Sequence, residues 1–182
     1  MSATTDLSQF DNSDYQPGPL LKRAIWYFIN AFFFNSWFPF YNIKRGLLRL
    51  FGAKIGKGVI IKPYVRIKYP WRLSIGDYSW IGENVWIDNL DDVRIGKNCC
   101  ISQGVTIICG NHRYDKIQFD LFTKPIVIED GAWIGAKCVL LPGSMIQSHA
   151  VLNAGITFSG KAEANMVYAA DFRFSQKPRH IQ

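Results

Sequence analysis

An aliphatic residue returns at every sixth position through most of this chain, and that spacing leaves few folds open. Ile55, Ile61 and Ile67 form a first triplet, Ile75, Ile81 and Ile87 a second, and Ile95, Ile101 and Ile107 a third. Each triplet begins twenty residues after the last, three hexads plus a two-residue insertion. After a gap the beat resumes at Ile128 and runs on through Ile134, Leu140, Ile146, Leu152 and Phe158. An amphipathic helix would need spacings of three and four. Three short strands per turn, each sending one apolar residue inward onto the same position of the next turn, satisfy the hexad instead. Small residues (Val59, Val65, Ser79, Val85, Cys99, Val105, Ala132, Cys138, Ser144, Ala150) stand four after the beat, where a corner must turn without filling the interior. Glycine follows the beat at Gly56, Gly76, Gly82, Gly96 and Gly135, where tight turns are otherwise costly.

The pattern predicts a mainly β chain: a parallel β-helix of about five coils with an N-terminal helical segment and one protruding loop. Residues 1–17 read as a flexible lead-in, 18–53 as an aromatic and basic helical segment, 54–160 as the β-helix with its loop at 108–127, and 161–182 as a tail.

Leu20 to Phe38 reads as a helix closed by Pro39. The uncharged run from Ala24 to Ile43 has the length of a bilayer span, but Asn30, Asn35, Pro39 and Asn42 interrupt it. A helix packed on the domain or lying in the bilayer interface is therefore expected. A short amphipathic segment, IKRGLLRLFG, follows and ends at Gly52. The net charge of +7 is unevenly placed: residues 17–54 carry Lys22, Arg23, Lys44, Arg45, Arg49 and Lys54 and no acid, among many Trp and Phe. Such a segment suits an anionic surface with an apolar layer, so membrane lipid and not nucleic acid is the expected contact. Cys99 and Cys138 sit at the small corner position of their hexads and read as buried free thiols; no CxxC or zinc spacing occurs. With an acidic, polar start unlike a signal peptide, the expected location is the cytoplasm, at the inner face of the membrane.

The 108–127 segment is the one long excursion from the repeat, and excursions from a solenoid carry function more often than its coils do. It contains His112, a residue able to accept a proton near neutral pH. A zinc hydratase would need His112, His149 and His180 to converge on one metal, which their scatter along the repeat and tail opposes, and no metal is expected.

The segments LLRLFGAKIGKGV, WIDNLDDVRIGKNCCISQGV, GNHRYD and KPIVIEDGAWIGAKCVLLPGSMI resemble the hexapeptide-repeat acyltransferases over roughly residues 44–173. The nearest likeness is to colanic-acid-biosynthesis-type O-acetyltransferases. The resemblance implies a left-handed β-helix, acetyl-CoA as donor substrate, a sugar hydroxyl of a saccharide or exopolysaccharide precursor as acceptor, and a homotrimer with intersubunit sites. It places His112 at the catalytic histidine. Asp88 then orients the imidazole or holds a sugar hydroxyl, Asn89 contacts the acceptor, and Asp115 is a second polar partner within the loop. Trp133, Gly135 and Ala136 match the coenzyme-binding WIG-A segment, Ala154 a later Ala-Gly, and Lys161 and Arg173 the basic residues for the coenzyme phosphates. The chain departs from the pattern at FSGKAEAN, at AADFRF and at Gln147, which stands where a glycine is usual. A sugar-nucleotide N-acetyltransferase and a non-catalytic, membrane-docked scaffold are the alternative readings.

Overall fold

The computed structural model describes residues 4–169. Two helices, α1 (Leu20–Ile29) and α2 (Tyr41–Leu50), precede a parallel β-helix whose strands are two or three residues long. A π-helical turn, Asn30–Phe34, extends α1, so the apolar run is helical as the sequence predicts but ends before Pro39.

Three parallel sheets form the sides of a triangular prism. On the first side Ile55, Ile75, Ile95, Ile128, Ile146 and Ala162 stack in register. On the second, Ile61, Ile81, Ile101, Ile134, Leu152 and Tyr168 do so. The third carries Ile67, Ile87, Ile107, Leu140 and Phe158. Every position of the hexad beat thus lies in an inward ladder, and all but Phe158 are buried. The corner residues are buried too, and the polar ones bind backbone there: Ser79 Oγ donates to Gly96 O at 2.6 Å and Ser144 Oγ to Leu141 O at 2.7 Å. Burial pushes the thiols of Cys99 and Cys138 up from their usual range, and all four cysteines are unpaired.

The solenoid makes about six turns, one more than the beat predicts. Lys161–Ala162 pairs with Met145–Ile146, and Val167–Tyr168 with Val151–Leu152, so the boundary drawn at residue 160 falls inside the β-helix. Ala162 follows Phe158 by four positions instead of six, and alanine replaces the larger apolar residue, so both signals of the repeat fail where it continues.

The strands of the first coil have a partner on one side only, which would orphan the backbone groups on the other. The N-terminal segment supplies those partners. Trp26 Nε1 donates to Ile67 O at 2.8 Å, and Asn30 Oδ1 accepts from Ile67 N at 3.2 Å. From α2, Lys44 donates to Ile61 O and Lys62 O at 3.3 and 2.9 Å, Arg45 to Val59 O at 2.7 Å, and Arg49 to Ile55 O and Gly56 O at 2.7 and 2.9 Å. Lys44 is wholly buried, and that burial pushes its ammonium pKa down to about 8. Half of the basic block read from the sequence as facing an anionic surface therefore faces the chain's own carbonyls.

Candidate active site

The site grows from the corner between the third and first sides. There the first two coils carry their two-residue insertions and the third coil carries the long loop. The loop is a hairpin, Gly110–His112 against Leu121–Thr123. It is tied to the corner of the preceding coil by Cys109 N to Asp88 O (3.2 Å) and Thr123 Oγ1 to Asp91 Oδ2 (3.1 Å). Gly110 at its root lets Leu90 pack against the backbone, since a Cβ there would lie 2.4 Å from Leu90 Cδ1 and displace that side chain.

His112 Nδ1 lies 2.8 Å from the carbonyl oxygen of Phe119, and the two rings stack with centroids 4.5 Å apart and planes 4° from parallel. A carbonyl oxygen only accepts, so Nδ1 carries the hydrogen, and in the neutral ring the lone pair is then on Nε2. Phe119 reaches this position with φ of 55°, a left-handed conformation rarely adopted by a bulky residue.

The lead-in is not free. Asp6 N donates to Ile117 O at 2.9 Å, the Phe10 ring lies 5.5 Å from the imidazole, and Tyr15 OH donates to Leu90 O at 2.8 Å. Arg72 donates to Tyr15 OH at 3.1 Å and its guanidinium lies over the Tyr15 ring. The aromatic residues of a polar segment thus strap it across the loop, contrary to the expected flexible lead-in.

Two cavities adjoin this corner. One, of about 470 Å³, is lined by His112, Phe10, Tyr15, Arg23, Lys68 and Leu121 among others. The other, of about 350 Å³, includes Asp88, Trp86, Trp26 and Tyr27, and shares Arg23, Lys68 and Tyr69 with the first.

The expected polar partners of His112 distribute differently. Asp88 lies 2.9 Å from Lys68 Nζ, as an ion pair whose angles are poor for a hydrogen bond. The orienting acceptor at Nδ1 is the Phe119 carbonyl, not Asp88. Asn89 does not face an acceptor. It is fully buried, its Oδ1 accepts from Tyr69 N at 2.9 Å and its Nδ2 donates to Tyr69 O at 2.6 Å. It clamps the insertion of the preceding coil, which no strand pairing holds. Asp115 sits in the turn at the hairpin tip.

Of the expected coenzyme residues, Trp133, Gly135, Ala136 and Ala154 lie at another corner, between the second and third sides. Trp133 is half exposed, and its Nε1 donates to Ser102 Oγ at 2.9 Å. Gly135 packs under the next coil, where a Cβ would approach Ala154 N and Leu152 O to 2.6 Å, and Gly155 N donates to Ala136 O at 2.8 Å. Gly135, Ala136 and Ala154 are therefore brought together, and within one chain they occupy a different edge of the prism from His112. Lys161 pairs with Glu163 at 3.1 Å on the surface. Arg173 and His180 lie outside the described residues, and His149 lies at the third corner, packed over Gly131.

Sequence reasoning missed Lys68, Phe10 and Tyr15, and read Arg23 only as part of the basic block and Phe119 only as an apolar residue of the loop. Lys68 was detectable, since it stands twenty residues before Asp88 at the same place in the repeat. The others reach the site through loop and strap conformations that no spacing records.

No family profile matches the chain. It is 36% identical over 165 residues to WcaF of Escherichia coli (strain K12), assigned as a colanic acid biosynthesis acetyltransferase, covering 89% of this chain and 90% of that protein. It is 29% identical over 129 residues to galactoside O-acetyltransferase of the same organism, covering 69% of this chain and 64% of the relative. Among solved structures, the hexapeptide-repeat acetyltransferase VCA0836 of Vibrio cholerae O1 biovar eltor, complexed with acetyl-coenzyme A, superposes with a TM-score of 0.74 at 21% identity, covering 81% of each chain. The extent of the WcaF match, on a six-turn hexad solenoid with a single histidine hairpin, establishes that this chain belongs to the hexapeptide-repeat acetyltransferase family.

Proposed function

We propose that this protein transfers the acetyl group of acetyl-coenzyme A to a hydroxyl of a saccharide, with His112 as general base. The observation that carries the reading is the 2.8 Å contact of His112 Nδ1 with Phe119 O, which leaves the Nε2 lone pair for a substrate proton. The acetyl donor supplies an activated carbonyl carbon. His112 takes the hydroxyl proton as the sugar oxygen bonds to that carbon, and returns it to the coenzyme sulfur as the carbon–sulfur bond breaks. The hydrocarbon walls of Phe10, Phe119 and Leu121 limit water as a competing nucleophile. The activities for which WcaF and galactoside O-acetyltransferase are named, and the acetyl-coenzyme A held by the Vibrio structure, support the choice of donor and acceptor class.

Trp133, Gly135, Ala136 and Ala154 are the residues proposed to hold the coenzyme arm, with Lys161 and Arg173 towards its phosphates. Gly135 and Ala136 leave the corner free of long side chains, and exposed Trp133 offers an apolar wall. Because Trp133, Gly135, Ala136 and Ala154 occupy a different edge of the prism from His112, a complete site needs two chains, and a cyclic homotrimer is the proposed assembly. His112→Ala should lower acetyl transfer by about 10² to 10⁴ with the fold and coenzyme-induced thermal stabilisation intact. Full turnover in that variant would overturn the base assignment. Mixing His112→Ala with a coenzyme-site variant should restore part of the activity if the site is shared.

Among the described residues no helix is long and apolar enough to cross a membrane. A peripheral contact of residues 17–54 with the inner face of a membrane is nonetheless part of the proposal. Leu21, Ile25, Phe28 and Phe32 form an exposed stripe at helical spacing, with Trp37 and Phe40 beyond it. Since Lys44, Arg45 and Arg49 face inward, apolar insertion and not charge carries this contact. Vesicle binding should therefore survive high salt and fail in a Phe28→Ser, Phe32→Ser variant.

A further inference from the structure

Arg23 lines both cavities, at the wall where they meet, and its Nε is buried with no hydrogen-bond partner among the described residues. Its neighbours are not in that state. Arg45 and Arg49 donate to first-coil carbonyls, Arg66 lies 4.8 Å over the Trp86 ring, and Arg72 binds Tyr15 and the Gln16 carbonyl. A buried guanidinium nitrogen without a partner is costly, and such groups in native proteins usually have one. The chain offers no second anion here. Asp88, the one carboxylate lining the two cavities, forms an ion pair with Lys68 although its buried Oδ1 has no hydrogen-bond partner either, while Arg23, Arg66 and Lys68 line them as three cations against that one anion.

We infer that the acceptor carries an anionic group, a carboxylate or a phosphate, seated on Arg23 at the junction of the two cavities, and that this contact selects the hydroxyl presented to His112. The inference rests on the saccharide acetyltransferase reading and names its substrate class. A guanidinium fork matches the paired oxygens of either anion, and the cavity walls lower the local dielectric in which the pair forms. The aromatic walls, Trp86 and Tyr27 on one side and Tyr15 and Phe10 on the other, suit the apolar faces of sugar rings. Arg23 lies on α1, two residues after Leu21, so it faces away from the exposed apolar stripe and towards the cavities.

The test is equilibrium binding of glucuronate, glucose 1-phosphate and neutral glucose to the full chain, with and without coenzyme A, for wild type, Arg23→Gln and Arg23→Lys. At least one anionic sugar should bind wild type roughly tenfold or more tighter than glucose, the scale of one charge-assisted hydrogen bond. Arg23→Gln should lose that preference and Arg23→Lys should keep part of it. Preference for glucuronate identifies a carboxylate acceptor, and preference for glucose 1-phosphate a phosphorylated one. Equal binding of all three sugars to wild type, or an anion preference unchanged in Arg23→Gln, would overturn the inference. Coenzyme A affinity is read in the same samples. Its absence from wild type would sink the acetyltransferase reading, while its persistence without anion preference would remove only the Arg23 inference.

Discussion

Replacing Asn89 with alanine separates a structural role from a substrate-binding one. In the structure both ends of the Asn89 amide bind the Tyr69 backbone, at 2.9 and 2.6 Å, and the side chain is fully buried. Alanine would leave Tyr69 N without a partner in a site closed to solvent, while Tyr69 O would keep only its bond from Arg72 N at 3.0 Å. An unpaired buried backbone group costs about 1–3 kcal/mol and a lost hydrogen bond about 0.5–1.5 kcal/mol, so the loss should be about 1.5–4.5 kcal/mol, towards the lower end if water enters the space left. Aspartate is a graded control. Its carboxylate still accepts from Tyr69 N but opposes the lone pairs of Tyr69 O, unless it is protonated and donates to them. The folded state would therefore raise the pKa of the introduced carboxyl above its unfolded value. Stability contributed by the protonated form is then complete at low pH and lost as pH rises through the folded pKa. The expected order at pH 8 is wild type, then Asn89→Asp, then Asn89→Ala, with the aspartate variant recovering at pH 5. Urea unfolding at fixed protein concentration gives the stabilities, and steady-state kinetics at low temperature give the acceptor KM. An Asn89→Ala protein within about 0.5 kcal/mol of wild type, the range of neutral surface changes, but with a tenfold higher acceptor KM would refute the clamp and restore the acceptor contact.

Three further outcomes follow from the structure. Burial holds the Lys44 pKa at about 8 against 10.5 for the free side chain, so folding releases a proton between those values. Stability from urea unfolding should accordingly rise from pH 7.5 to 9.5 by about 2 kcal/mol, and this slope should vanish in Lys44→Met. Gly135→Ala places a methyl 2.6 Å from Ala154 N and Leu152 O, both backbone atoms. It should destabilise the β-helix by about 1–3 kcal/mol and weaken coenzyme A binding, as calorimetry would register. Phe10→Ala removes the strap ring 5.5 Å from the imidazole, and should lower kcat/KM severalfold while leaving the urea midpoint nearly unchanged.

The β-helix was legible because its energetics are local and periodic. One inward aliphatic residue per side repeats at a fixed spacing, so a list of isoleucines already specifies three ladders. Reading stopped where the period changed, at the four-residue step from Phe158 to Ala162. His112 was legible for the same reason, as the histidine in the one long break.

The sequence by itself therefore determined the three-sided solenoid, the inward beat, the small corners, the protruding loop and its histidine. Only the tertiary structure decided the partners of the polar residues. It gave His112 Nδ1 to a carbonyl seven residues further on, Asn89 to Tyr69, Asp88 to Lys68, and the basic face of α2 to the open end of the first coil. It also turned a polar lead-in into a strap and set the Arg23 Nε, unpaired, at the junction of two cavities. The physical reason is directionality. Apolar burial is non-directional and scales with area, so a pattern along the chain suffices to read it. A hydrogen bond or ion pair depends on distances and angles between atoms that only folding brings together, and charge alone does not say which acceptor it will meet.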